Sequence, residues 1–306
     1  MPAASAWNDF GHMVVADIAY RRLQPKTRAR ISTLLKLNPS YELWSKELSA
    51  TTAPARREED IFMLAATWPD AIRLDPSYIP DGAQDQAKAN ASIAMRNIGY
   101  CDHLMHKSWH FYNAQLSQDG SPASTSPVPI PNAKTQIDLF RRVLSTSATA
   151  STAANDQLKS FDLVWLIHLV ADIHQPLHCT TRVSKFRTDG DDGGNDVFLD
   201  TKTKYQCRLH TYWDNSIGTG QIEDAFNLAG GLKTQTKYRS NNTDISSWVQ
   251  ESYASAKNNV YVEPVRWGKG PFQLSRTYEK SAREEAIARI EVAGERLARL
   301  LNAELK

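Results

Sequence analysis

Two short segments, His168-x-x-x-Asp172-x-x-x-x-x-His178 and His210-x-x-x-Asp214, set three imidazoles and two carboxylates at close spacing within each segment, with His174 a fourth imidazole inside the first. Neutral imidazole nitrogen and carboxylate oxygen are the donors that bind zinc when cysteine is not used. His168 and Asp172 interrupt an otherwise apolar run, Leu163 to Ile173, and their spacing of four puts both on one face of a helix. An unpaired carboxylate on such a face is costly to bury. A divalent cation offsets that cost by compensating the carboxylate and taking up the imidazole lone pair. Three further candidate ligands stand among aromatics: His12 after Trp7-Asn-Asp-Phe-Gly11, Asp70 in Trp68-Pro-Asp-Ala-Ile-Arg73, and His110 in Trp109-His-Phe111. Taken singly, each such histidine reads more readily as a hydrogen-bonded core residue. Their order beside the helix pair gives them weight.

The elements that must position these groups are mostly helical. Apolar residues at helical spacing predict helices over 13–23, 27–37, 58–65 and 135–144, and Asp85 to Arg96 is polar and moderately helical. The ligand helix is predicted to end at Gln175, before Pro176. Trp109 to Tyr112 reads as a strand or a tight connection. Residues 117–134 hold four of the chain's 14 prolines and form a loop. Val197-Phe-Leu199 and Lys204 to Arg208 flank a turn-rich segment and predict a small β-hairpin. Ser281-Ala-Arg-Glu284 reads as a capping box opening a core helix, whose Arg- and Glu-rich face is expected to be solvated. No repeat or domain boundary is evident, so the expected fold is all-α: a mainly α-helical single domain with a small β-hairpin.

With 36 Lys and Arg against 34 Asp and Glu, the 306-residue chain lacks the strongly basic footprint of a sequence-independent duplex binder. No window approaches 18 uninterrupted apolar residues, so no membrane association is expected. Met1 to Ala6 ends in Ala4-Ser-Ala6, the small-residue pattern that precedes signal cleavage, and reads as the residue of an export signal. Of the three cysteines, Cys179 follows His178 and Cys207 lies three before His210. A disulfide between those two, suited to an oxidising compartment, and three reduced thiols are both consistent with the spacing.

The ordered set Trp7-x-x-x-Gly-His12, Trp68-x-Asp-x-x-Arg73, Trp109-His-Phe111, His168 to His178, Asp192-Gly-Gly-Asn195 and Leu209-His-x-x-Trp-Asp214 resembles the S1/P1 family of zinc-dependent single-strand nucleases. The resemblance implies a phospholipase C/nuclease-like fold over residues 7–306, with 1–6 as a processing segment. It implies three zinc ions per chain. The first would take Asp70, His110, His168 and Asp172; the second His178, His210 and Asp214; the third His12, a bridging Asp172, and the main-chain amine and carbonyl of Trp7. Without processing to Trp7, two are expected. The implied activity is endonucleolytic cleavage of single-stranded DNA and RNA to 5′-phosphate products, with 3′-nucleotidase activity, by a secreted or periplasmic monomer. Asp70, Arg73 and Asp172 would be catalytic, and Phe111 would stack on a base. Asn113 stands where relatives often place an acid that touches the base edge. Asn195 would approach the phosphate, although an Asx turn explains it equally. His174 reads as a residue supporting a ligand carboxylate. Two rival readings are a zinc-dependent phospholipase C, whose last ligand is as a rule Glu rather than Asp214, and a non-catalytic zinc-binding protein.

Overall fold

The structure, a computed structural model, describes residues 7–48, 52–81, 97–124, 127–146, 152–200, 207–233 and 237–305. Its helices are α1 (Asp9–Tyr20), α2 (Pro25–Leu35), α3 (Tyr41–Glu47), α4 (Pro54–Ala65), α5 (Trp68–Ala71), α6 (Ala133–Leu144), α7 (Ala153–Asp172), α8 (Leu209–Asp214), α9 (Ile222–Gly231), α10 (Ile245–Ser255) and α11 (Arg276–Glu304). The fold is mainly helical, as the periodicity predicts. Side-chain caps set several starts: Asn8 accepts from the Gly11 amide at α1, Thr152 from Asn155 at α7 and Ser275 from Tyr278 at α11. Asn132 and Thr135 form a reciprocal capping box at α6.

Every residue of α7 from Lys159 to Asp172 is buried. A helix apolar all round must be enclosed by others, and α1, α2, α5, α6 and α11 pack against it. These helices share the larger apolar core. A smaller core gathers Leu177, Val197, Leu209, Trp213, Val260, Tyr261 and Tyr278. His168 and Asp172 therefore sit on the central helix of the larger core, while Leu177, Leu209 and Trp213 anchor the segments of His178, His210 and Asp214 in the smaller one.

Several local expectations need correction. The two-stranded sheet among the described residues is parallel, β1 (Ala114–Ser117) with β2 (Thr180–Val183), Ala114 opposite Thr180. The expected hairpin is represented by one antiparallel bridge, Phe198 with Arg208, with 201–206 outside the described residues. Asp85 to Arg96 also lies outside them. Trp109 and His110 belong to a 3-10 turn, Lys107–His110. Helix α7 stops at Asp172, because Gln175 adopts extended backbone before Pro176 and its side chain accepts from the Leu177 amide. Helix α11 begins at Arg276, so Ser281 lies inside it.

The arginine-rich face of α11 is solvated only in part: Arg276, Arg283 and Arg299 are exposed, as expected, but two arginines are not. Arg289 and Arg296 are fully buried. Arg296 binds both carboxylate oxygens of Glu251 on α10, at 2.6 and 2.9 Å, and Arg289 donates to the His174 carbonyl at 3.0 Å. His174 is held in this network: its Nδ1 donates to the Val170 carbonyl and its Nε2 accepts from Arg296. It therefore supports no ligand carboxylate. All three cysteines are free thiols; buried Cys179 donates to the Ile173 carbonyl.

Candidate metal centre

His12 from α1, Asp70 from α5, His110 from the 3-10 turn, and His168 and Asp172 from α7 meet in one buried basin. His168 Nε2 stands 3.3 Å from Asp172 Oδ2 and 3.9 Å from Asp70 Oδ2. His110 Nδ1 is 3.0 Å from Asp172 Oδ2 and 3.0 Å from His168 Nε2. On the other side of the same carboxylate, His12 Nε2 lies 3.3 Å from Asp172 Oδ1, and its ring stacks on His168 with centroids 3.9 Å apart. Asp172 is thus shared by three imidazoles.

A second group forms where α8 meets the 3-10 turn Pro176–His178. His178 Nε2 and His210 Nε2 face each other at 3.2 Å, and His210 Nε2 is 3.6 Å from Asp214 Oδ2. The far nitrogens settle the tautomers. His178 Nδ1 donates to the His110 carbonyl at 2.8 Å, His210 Nδ1 to the Gly193 carbonyl at 2.7 Å, and His168 Nδ1 to the Ala66 carbonyl at 2.7 Å. Nε2 is therefore the atom each ring turns inward, a lone pair when the ring is uncharged, and the Nε2 atoms of His178 and His210 oppose one another. Backbone carbonyls orient metal-binding imidazoles in this way.

Buried orphans supply the fit test for a cation. Among the described residues, His12 Nε2, Asp70 Oδ2, His110 Nε2 and Asp172 Oδ1 have no hydrogen-bond partner. Three groups, His12–Asp70–His168, His110–His168–Asp172 and His178–His210–Asp214, bring their donor atoms within 4.8 Å of one another. The residues fit metal ions of the borderline type that imidazole and carboxylate bind.

Electrostatics point the same way. Burial holds the imidazoles of His12, His110 and His178 well below 6.5, so they present lone pairs at neutral pH. Burial also presses His168 down, but Asp172 and Asp70 outweigh it and hold that ring up, at about 9. Burial raises Asp172 to about 7 against the pull of His168, and lifts Asp214 well above the ordinary carboxylate range. The basin thus favours added positive charge, and its carboxylates are held at a cost that a cation relieves.

The other sequence-derived candidates surround this centre. Arg73 donates to Asp70 Oδ1 at 3.1 Å. The Phe111 ring lies 4.5 Å from His178. It lines a cavity of about 600 Å³ with Tyr112, Asn113 and Asp192. Asn113 is exposed, in the left-handed region at φ 54°. Asn195 donates from Nδ2 to the Asp192 carbonyl at 2.9 Å, closing its own turn. Trp7 is fully buried, its indole donating to the Ala171 carbonyl at 3.2 Å, and residues 1–6 lie outside the described residues.

Sequence reasoning missed the supporting groups. Gln175 Nε2 donates to Asp214 Oδ1 at 2.7 Å; it lies within the His168–His178 motif, so its place was visible even though its role was not. The Ala66 carbonyl had no signal at all.

Two comparisons bear on this geometry. Residues 7–306 match the S1/P1 nuclease family. The chain is also 27% identical over 154 residues to Endonuclease 1 of Arabidopsis thaliana, an overlap of 46% of this chain and 48% of that protein, so it spans about half the relative's length. Since the family match runs across nearly the whole chain, the protein belongs to the S1/P1 nuclease family.

Proposed function

We propose that the protein is a zinc-dependent endonuclease that hydrolyses phosphodiester bonds of single-stranded DNA and RNA, leaving 5′-phosphates, and that it also removes 3′-phosphates from nucleotides. The observation that carries this reading is the opposed pair of lone pairs on His178 and His210 beside Asp214, next to a basin in which three imidazoles share Asp172. Asp70, His110, His168 and Asp172 would hold one zinc, and His178, His210 and Asp214 a second. His12 and Asp172 would hold a third, with the Trp7 main chain once its amine is free. Zinc supplies Lewis acidity and a water acidic enough to serve as nucleophile near neutral pH.

The chain's own residues do the rest. Arg73, steered by Asp70, offers a fixed guanidinium to the non-bridging phosphate oxygens. Phe111 gives a stacking face beside His178, which takes any unpaired base and so favours single strands. Asn113 lines the same cavity and would meet the base edge, with Asn195 near the phosphate. Export to a secretory or periplasmic compartment is part of the same reading. Among the described residues no helix is long and apolar enough to cross a membrane.

The test compares single-stranded circular DNA, its duplex form and phosphatidylcholine vesicles as substrates for the zinc-loaded protein. Linearisation and digestion of the single-stranded circle, with 5′-phosphate ends and loss of activity to a chelator, is expected. Release of phosphocholine without nucleic-acid cleavage would assign the site to a phospholipase, and full zinc occupancy without hydrolysis of any substrate would make it a binding site only.

A further inference from the structure

Beside β2 a second cavity, of about 660 Å³, lies outside the metal centre. Among the described residues three large aromatic side chains are exposed: Phe186 at 88%, Trp267 at 44% and Phe198 at 39%. All three stand at this end of the molecule. Phe186 and Trp267 line the cavity, and the Phe198 amide donates to the carbonyl of Lys269 on its wall. Each ring has a cation over it: Lys185 Nζ at 4.8 Å from Phe186, the Arg266 guanidinium at 4.9 Å from Trp267, and that of Arg208 at 5.6 Å from Phe198.

Exposed apolar rings grouped in this way mark a binding surface. Aromatic faces interleaved with cations suit a flexible polyanion with unpaired bases, because every base has a face to stack and every linkage a charge to meet. The local charge balance agrees. Arg182 and Arg187 are paired with Asp191 and Asp196, which leaves Lys185, Arg266 and Lys269 against Asp119. The Arg187–Asp196 pair also borders the Phe111 cavity, so the two cavities adjoin.

We propose that this cavity is a remote subsite for single-stranded polynucleotide, in which Phe186 and Trp267 stack on bases distant from the scissile linkage while Lys185, Arg266 and Lys269 meet the intervening phosphates. The proposal rests on the nuclease reading above. It makes affinity depend on strand length: a dinucleotide fills the Phe111 cavity alone, whereas a longer strand spans both.

The experiment is steady-state kinetics of the zinc-loaded protein on thymidine dinucleotide and on a thymidine dodecanucleotide, for the wild type and for the double variant Phe186→Ala, Trp267→Ala. Both rings are exposed, and a thermal melt checks that the variant folds. The variant is expected to raise KM for the dodecanucleotide at least about fivefold, the low end for a single stacked base, with its kcat and the dinucleotide kinetics unchanged. In a Lys185→Gln, Arg266→Gln, Lys269→Gln variant the salt dependence of the dodecanucleotide KM should flatten. A dodecanucleotide KM within twofold of wild type, or an equal loss on both substrates, would overturn the subsite. A wild-type protein that cleaves neither substrate would overturn the nuclease reading itself, and the subsite with it.

Discussion

Replacing Gly193 by alanine probes how the second ligand group is held. Gly193 has φ +57°, and a Cβ there would lie 2.7 Å from the Leu177 carbonyl oxygen and 3.4 Å from His210 Nδ1. The left-handed backbone alone costs alanine about 1–2 kcal/mol. The contact with Leu177 is with backbone that cannot swing aside, so the loop must move. The movement pulls the Gly193 carbonyl from the 2.7 Å hydrogen bond that fixes His210, which costs about 0.5–1.5 kcal/mol more. The total is about 1.5–3.5 kcal/mol of stability. Loss of the group orienting a ligand imidazole should also weaken zinc binding at His178–His210–Asp214 by about 10- to 100-fold. Gly120→Ala is the control: its φ is +82° but none of the described residues lies within 4 Å of the added carbon, so it carries the backbone strain alone. Thermal melts and calorimetric zinc titration of chelator-stripped protein are the assays. One weakened class of zinc sites is expected in Gly193→Ala and none in Gly120→Ala. A Gly193→Ala isotherm within twofold of wild type, or the same zinc defect in both variants, would refute the reasoning.

Phe111→Ala should raise KM on single-stranded substrate with little change in kcat, by the about 1–3 kcal/mol that one base–aromatic contact contributes; an unchanged KM would remove Phe111 from the substrate site. Glu251→Ala strips the carboxylate from two fully buried arginines, and denaturant unfolding should show a loss of about 3–5 kcal/mol; a loss below about 1 kcal/mol would mean the network is satisfied otherwise. Burial and the neighbouring Asp17 raise the Glu59 carboxyl from 4.5 to about 7. The folded chain therefore holds that proton over a pH window in which the unfolded chain has released it, so this group's contribution to stability falls as pH rises from about 4.5 to about 7. Glu59→Gln should melt with the wild type at the acidic end of that window and above it near pH 8. An equal gap at both pH values would contradict the assignment.

Helical periodicity and the four-residue spacings were legible because both are local. His168 and Asp172 sit in an apolar run that can only be a buried helix, and His210 and Asp214 repeat the spacing on α8. The β1–β2 ladder was not legible, because it joins four-residue strands some 66 positions apart with no alternating pattern. Nor was the burial of Arg289 and Arg296. Charged residues on a helix face read as solvated unless the covering element is known, and here Glu251 on α10 and the chain at His174 cover that face. The candidate ligands were named from residue type, spacing and the resemblance to the S1/P1 family. The groups that aim them, the carbonyls of Ala66, His110 and Gly193, are backbone atoms, which carry no mark in a sequence.

The converging imidazoles and carboxylates should hold divalent cations. Anomalous diffraction at the zinc edge, from crystals of protein purified without chelator and supplied with zinc, tests it most directly. We expect one peak between His178, His210 and Asp214 and one in the Asp70–His110–His168–Asp172 basin, with a third beside His12 when the chain begins at Trp7. A map with no zinc peak at either group would contradict the claim.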